Sequence, residues 1–193
     1  LSINMEKSAL QIARAAYQPK LPAGLRGNVK IVEGAPTQSV DNQEEIKALF
    51  PNTYGMPLVN FEPTDEKKEY APINIGIILS GGQAPGGHNV ICGLYDGLKK
   101  QNPNSKLYGF LMGPGGLVDH NYLEMTDELI DEYRNTGGFD MIGSGRTKLE
   151  EEAQFEKGME VIRQLGLNAI VIIGGDDSNT NACVLAEYYA AKK

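Results

Sequence analysis

The chain has no tryptophan, only two cysteines and only two histidines in 193 residues. That scarcity argues against a disulfide-built scaffold and against a zinc site with Cys/His ligands at short spacing. Cys92 and Cys183 fall in helical stretches beside apolar neighbours and read as two buried thiols of a reducing cytosol. No apolar run approaches the length of a membrane span. The start, Leu1 to Tyr17, mixes Glu6, Lys7 and Arg14 with apolar residues, unlike a signal peptide. Basic residues are in the minority, 18 Lys and Arg against 25 Asp and Glu, and the net charge of −7 argues against a nucleic-acid or anionic-membrane partner. No serine, histidine and acid arrangement for nucleophilic catalysis is legible. An acidic chain still binds phosphates where backbone N–H groups and a metal ion dominate locally.

The chain changes character near residue 70. Residues 1–70 read as an α-rich extension packed on a main domain. Met5 to Tyr17 is expected to be helical, Val29 to Val32 a short strand, and Asp41 with Glu44 the cap of a second helix that ends at Pro51-Asn52. Phe61 to Pro72 reads as a charged, proline-bounded connector. From residue 71 onwards strands alternate with helices: a strand at 73–79, a helix with the stripe Val90, Ile91, Leu94 and Leu98, and a strand at 107–112. Thr126 opens a short helix with Leu129, Ile130 and Tyr133 facing inward. Thr147 with Glu150 fits a capping box for a helix burying Phe155, Met159, Ile162 and Leu165. A strand at Ala169–Ile173 and a helix from about Ser178 complete the pattern. This alternation predicts an α/β fold, a doubly wound, mostly parallel sheet of the Rossmann-like three-layer kind.

Two glycine-rich turns carry the chemistry, each after an apolar strand and before a helix. The first is Ser80-Gly81-Gly82-Gln83-Ala84-Pro85-Gly86-Gly87-His88-Asn89, and the second is Gly174-Gly175-Asp176-Asp177-Ser178-Asn179-Thr180-Asn181. Wholly apolar strands read as buried on both faces of a parallel sheet. Their carboxyl ends are where open α/β sheets bind ligands, with the amide groups and dipole of the next helix facing an anion. The first turn lacks the Gly-Lys-Ser/Thr of a Walker loop and the spaced glycines of a dinucleotide fingerprint. With four glycines in seven residues it lets backbone approach an anion closely, or is simply a tight turn. Asp176 and Asp177 suit either helix capping or a hard cation such as Mg²⁺, which takes one or two carboxylates plus phosphate oxygens. Both readings stand at this point.

Arg146, in Gly143-Ser144-Gly145-Arg146-Thr147, is the third element. Its guanidinium suits a phosphoryl group, and a cation placed against a helix dipole favours function over a plain surface arginine. Glycines 143 and 145 are expected to free the loop to follow a ligand. Lys148 reads as solvated, His88 as a local hydrogen-bonding group, His120 and Asp119 as loop residues, and Tyr188 and Tyr189 as packing.

Three blocks carry a resemblance. Leu79 to Ile91, Gly137 to Arg146 and Val171 to Ala182 closely resemble the pyrophosphate-dependent phosphofructokinases, in the long-chain group that includes the plant β-subunit. Val29 to Gly34 and Ile46 to Gly55 are similar to that group's amino-terminal segment, so the resemblance runs from about Leu21 to Lys193. It implies a phosphofructokinase-like fold and a Mg²⁺-dependent, cytoplasmic, allosteric enzyme of glycolysis and gluconeogenesis. The implied reaction is reversible phosphoryl transfer from pyrophosphate to fructose 6-phosphate, giving fructose 1,6-bisphosphate and phosphate. It further implies a homodimer, a homotetramer, or a hetero-oligomer with a regulatory subunit, and no nucleic-acid or membrane partner.

The resemblance also assigns residues. Gly81 and Gly82 lie against the phosphoryl donor with Gly175 and Ser178, Arg146 holds the phosphoryl in flight, and Asp176 coordinates Mg²⁺. Asp177 stands where ATP-using relatives have glycine, and is implied to exclude a nucleotide by clash and by repulsion of its α-phosphate. Residues 71–193 correspond to the amino-terminal part of the donor-binding domain. The family's catalytic aspartate, in a Thr-Ile-Asp segment after the last helix, its sugar-phosphate groups and a donor-selecting lysine have no counterpart among these residues. The chain is therefore expected to be a fragment of one over five hundred residues long, inactive alone. Rival readings are a regulatory chain, which loses the Gly-Gly-Asp-Asp-Ser turn kept here, an ATP-dependent 6-phosphofructokinase, against which Asp177 argues, and a generic phosphate sensor, which leaves the three blocks unexplained.

Overall fold

The computed structural model describes residues 6–192. In chain order its elements are α1 (Ala9–Ala16), β1 (Val29–Pro36), α2 (Gln43–Leu49), β2 (Pro57–Pro63), β3 (Asn74–Leu79), α3 (Gly87–Gln101), β4 (Lys106–Phe110), α4 (Pro114–Val118), β5 (Tyr122–Glu124), α5 (Asp127–Tyr133), α6 (Glu152–Leu165), β6 (Ala169–Ile173) and α7 (Asp176–Ala191). They divide into two compact units, Leu1–Pro19 with Tyr70–Ser178 and Lys20–Glu69 with Asn179–Lys193.

The first unit is built on a four-stranded sheet in the order β5-β4-β3-β6. β3 pairs in parallel with β4 on one side and with β6 on the other, while β5 returns antiparallel on β4. The chain therefore leaves β3 in one direction and comes back to its opposite edge, which makes the carboxyl end of β3 a topological switch point. The sheet is α/β and mostly parallel, as the alternation predicts. β5, only three residues long, is too short to show a period in sequence.

β3 is the strand the apolar run promises, buried from Ile75 through Leu79. β6 is not: Ala169 is exposed and the rest half-buried, because among the described residues it pairs along one edge only. Ile77, Leu79, Ile91, Leu107 and Ile130 have no exposed surface and anchor the core. Each such side chain contributes about 1.5–3 kcal/mol relative to exposure. α3 turns Ile91, Cys92, Tyr95 and Leu98 inward and leaves Val90 46% exposed, so the expected stripe is rotated. α6 likewise buries Phe155 and Val161, with Met159, Ile162 and Leu165 half-buried at the margins. It starts at Glu152, not Thr147: the Gln154 side chain accepts the Glu150 and Glu151 N–H groups at 2.9 and 3.0 Å. α1 begins at Ala9 on a Ser8–Gln11 capping box, and Met5 lies outside the described residues. Asn135 Nδ2 donates to the carbonyls of Arg14 and Tyr17 at 2.8 and 2.9 Å, closing the end of α1.

In the second unit the strand expected at Val29–Val32 is present and runs on to Pro36 as β1, and β2 is added to it. β1 and β2 form an antiparallel ribbon in which Ile31 faces Phe61, so Phe61–Pro63 belong to a strand and not to the connector. α2 starts at Gln43 after Asn42, whose φ is 50°; Asp41 Oδ1 takes the Asn42 N–H at 2.8 Å and makes no cap with Glu44. Within this unit Glu187 accepts from Thr53 Oγ1 at 2.7 Å and from the Asn52 amide side chain at 2.6 Å. Cys183, expected buried, is exposed, while Cys92 is buried as expected. The helical period explains it: Cys183 lies two residues from Leu185, the buried position of this helix, roughly 200° round the axis.

Ile77→Ala is expected to lower unfolding free energy by about 2–5 kcal/mol, because neighbours on both faces of the central strand close only partly over the lost volume. Equilibrium urea denaturation checks this, and a midpoint equal to wild type contradicts the assigned core.

Candidate functional site

Gly81, Gly82, Arg146, Gly175, Asp176, Asp177 and Ser178, the residues assigned to the donor and the metal, all fall within the first unit. The parallel register of β3 and β6 ends at Leu79 opposite Ile173, and the pairing continues one step further as the Ser80 N–H donates to the Ile173 carbonyl at 2.7 Å. The two glycine turns therefore leave the sheet side by side. Ser178 Oγ donates to Ser80 Oγ at 2.8 Å across them. A methyl group built on Gly81, where φ is +90°, lies 3.7 Å from Ser178 Oγ. Asp176 and Asp177 are the first two residues of α7, both exposed, so this helix starts two residues before the expected Ser178.

A third segment joins them. Ser80 and Gly145 form a parallel bridge, and the Gly81 N–H donates to the Gly145 carbonyl at 2.8 Å. Arg146 follows at once, exposed, and its Nη2 lies 3.1 Å from a methyl group built on Gly82. The guanidinium thus borders the first turn. Arg146 precedes α6 by several residues and does not sit at a helix start, so, contrary to expectation, no helix dipole opposes its charge; the sheet extension at Gly145 positions it instead.

Glycines 143 and 145 do not loosen this loop. Gly143 has φ +66°, a left-handed conformation. A methyl group on Gly145 would collide with the Met112 carbonyl oxygen, so two backbones cross there with no room for a side chain. The rest of the loop is pinned as well. Phe139, Met141, Ile142 and Leu149 are buried, the Met112 N–H donates to the Ile142 carbonyl at 2.9 Å, and the Gly86 N–H to the Gly137 carbonyl at 2.8 Å.

The amino end of α3 differs from expectation in the same way. The His88 N–H is taken by the Gly138 carbonyl at 2.9 Å, so loop carbonyls cap this helix where an anion was expected. The approach left to a ligand is the exposed stretch Gly82-Gln83 and the start of α7. Two carboxylates, one guanidinium and glycine backbone at a switch point suit a phosphate ligand with a hard cation. Among the described residues no group of three His, Cys, Asp or Glu side chains forms a metal cage. That donor set fits Mg²⁺ bound by one or two carboxylates with phosphate oxygens, and a methyl group on Gly175 meets nothing within 4 Å, leaving space beside them.

Sequence reasoning gave Ser80 no separate role and marked Gly145 only as a source of loop freedom, not as the bridge partner of Ser80. A serine ending an apolar strand is the available signal for the first; nothing marks the crossing at Gly145, because a backbone contact between distant segments leaves no periodic trace. His120 is 4.0 Å from Glu160, and Lys148 is exposed.

A family model described as phosphofructokinase matches residues 74–191. The chain is 66% identical over 187 residues to the pyrophosphate–fructose 6-phosphate 1-phosphotransferase of Porphyromonas gingivalis, covering 97% of this chain and 34% of that one. It is 52% identical over 189 residues to the protein of the same description from Entamoeba histolytica, covering 97% and 35%. The solved pyrophosphate-dependent phosphofructokinase from Nitrosospira multiformis shares the fold, with a TM-score of 0.56 at 21% identity over 63% of this chain and 31% of that one. The chain spans about a third of the length of the curated relatives it matches.

Gly145→Ala is expected to cost about 1–3 kcal/mol, since carbonyl and backbone must part to admit the methyl group. It is also expected to speed amide exchange at Gly81, whose acceptor moves. Denaturation and hydrogen exchange read both effects, and wild-type exchange at Gly81 contradicts the coupling.

Proposed function

Because this chain belongs to the phosphofructokinase family, we propose that the whole protein transfers a phosphoryl group from pyrophosphate to the 1-hydroxyl of fructose 6-phosphate, reversibly. The observation that carries the reading is the pair Asp176-Asp177 in the first turn of α7, beside the Gly81 turn. Gly81, Gly82, Gly175 and Ser178 form the seat of the donor diphosphate. Arg146 meets the transferring phosphoryl through charge-assisted hydrogen bonds that strengthen as charge spreads over its oxygens. Asp176 holds Mg²⁺, which neutralises phosphate charge when bound. Asp177 occupies the space a longer donor needs and repels its α-phosphate, so the short diphosphate is preferred. The protein's contribution is positioning and electrostatic stabilisation rather than covalent chemistry.

Residues 71–193 are, on this reading, the amino-terminal part of the donor-binding domain, and residues 1–70 an extension of it. The proton acceptor for the sugar hydroxyl and the sugar-phosphate contacts come from elsewhere in the whole protein, which works in the cytoplasm as an oligomer. Among the described residues no helix is long and apolar enough to cross a membrane.

Assay of the whole protein with Mg²⁺ and either pyrophosphate or ATP tests the reading; activity with ATP alone overturns it. Arg146→Ala is expected to lower kcat by about 10²-fold or more with KM for fructose 6-phosphate nearly unchanged. Asp177→Gly is expected to weaken pyrophosphate use and admit measurable turnover of ATP.

A further inference from the structure

His88, the second residue of α3, is buried, with 1% of its surface exposed, although it stands next to the exposed first turn. From α5 and the residues just beyond it, the imidazole meets the edge of the Tyr133 ring, centroids 4.9 Å apart, and Thr136 Oγ1, 2.6 Å from Nδ1. From the loop it meets the Met141 N–H, which donates to Nε2 at 2.8 Å, and Asp140 Oδ1, 3.2 Å from the same nitrogen. Asp140 is the charged group facing the ring, and its side chain is 72% exposed.

These contacts fix the tautomer. Nε2 accepts from Met141, so the proton is on Nδ1 and is given to Thr136 Oγ1, which passes its own to the Tyr133 carbonyl at 2.6 Å. The neutral ring is thus a two-sided staple between α5 and the loop that ends at Arg146. A second proton changes the partners. Nε2–H then turns its bond to Asp140, and the Met141 N–H loses its acceptor in a buried place. The two partners of Nε2 exclude one another.

We propose that His88 is a positioning residue of the phosphoryl-transfer site: its neutral ring holds the loop of residues 137–146 so that Arg146 borders the donor turn, and its protonation releases that loop. The inference rests on the function proposed above for Arg146. The path is short. Met141 is followed by Ile142, whose carbonyl is held by Met112, and then by Gly145, whose carbonyl is held by Gly81. Burial lowers the His88 pKa below its ordinary value of 6.5, against the upward pull of Asp140. The neutral form and its stabilisation are therefore complete above pH 6.5 and are lost as pH falls towards the lowered value.

The test is kcat and KM against pH for the whole protein, its Asp140→Asn and His88→Gln variants, and Arg146→Ala. Wild type is expected to lose kcat in acid with KM for fructose 6-phosphate flat. Asp140→Asn removes the acceptor that favours the charged ring. It is expected to keep the plateau and raise kcat by up to about twofold at the pH where wild type is half-maximal. His88→Gln, which does not titrate, is expected to lower the plateau and abolish that acid limb. An Asp140→Asn profile superimposed on wild type, while Arg146→Ala is crippled, overturns the role of His88 alone. Unchanged turnover in Arg146→Ala removes the functional reading and this inference with it. The ring ¹⁵N shifts, assigned by their absence in His88→Gln, must show the proton on Nδ1 at neutral pH; a proton on Nε2 also overturns the inference.

Discussion

The pairing of β3 with β6 is the constraint on which the rest depends. Its register, Ile75 opposite Ala169 through Leu79 opposite Ile173, brings the ends of two distant apolar segments level with each other. A slip of one residue would exchange the faces of the strand and separate Ser80 from Ser178. Burial of Ile77 and Leu79 on the central strand makes such a slip expensive, so hydrophobic packing sets the alignment of polar groups that add little stability themselves. The extension of the sheet through Ser80 and Gly145 then brings in the third segment by backbone alone.

What was legible in the sequence follows from this division of labour. β3, β6 and the helices with strong apolar periodicity announce themselves because burial selects their side chains. The turns announce themselves because glycine and paired aspartates are chemically unusual at strand ends. The Ser80–Gly145 bridge left no such trace. The loop glycines suggested freedom, yet they serve a left-handed turn at Gly143 and a backbone crossing at Gly145, both of which restrict the chain. Val90 and Cys183 were misjudged for a plainer reason: an apolar side chain in a helix says that some face is buried, not which one. β2 was hidden because a ribbon with Leu58 and Phe61 exposed lacks the alternation that marks a half-buried strand.

The site combines rigid and open parts. Loop carbonyls cap α3, and His88, Phe139 and Ile142 root the loop in the core, while Arg146, Asp176 and Asp177 stand exposed at its rim. Charged groups kept in water carry no burial penalty before a ligand arrives, and their backbone is already ordered. An acidic chain can thus present one well-placed cation and a pair of carboxylates to a small anion without a broad basic surface.

The hydrogen bond between Ser178 and Ser80 joins residues 98 positions apart. During synthesis the first glycine turn emerges long before the strand that will lie beside it, and the nascent β3 has an unpaired edge until β6 leaves the ribosome. Contacts of such separation close slowly, since chain entropy is lost before they form. Assembly of this rim is therefore a late event in folding, and a chain released before residue 173 has a sticky, half-covered central strand in place of a site.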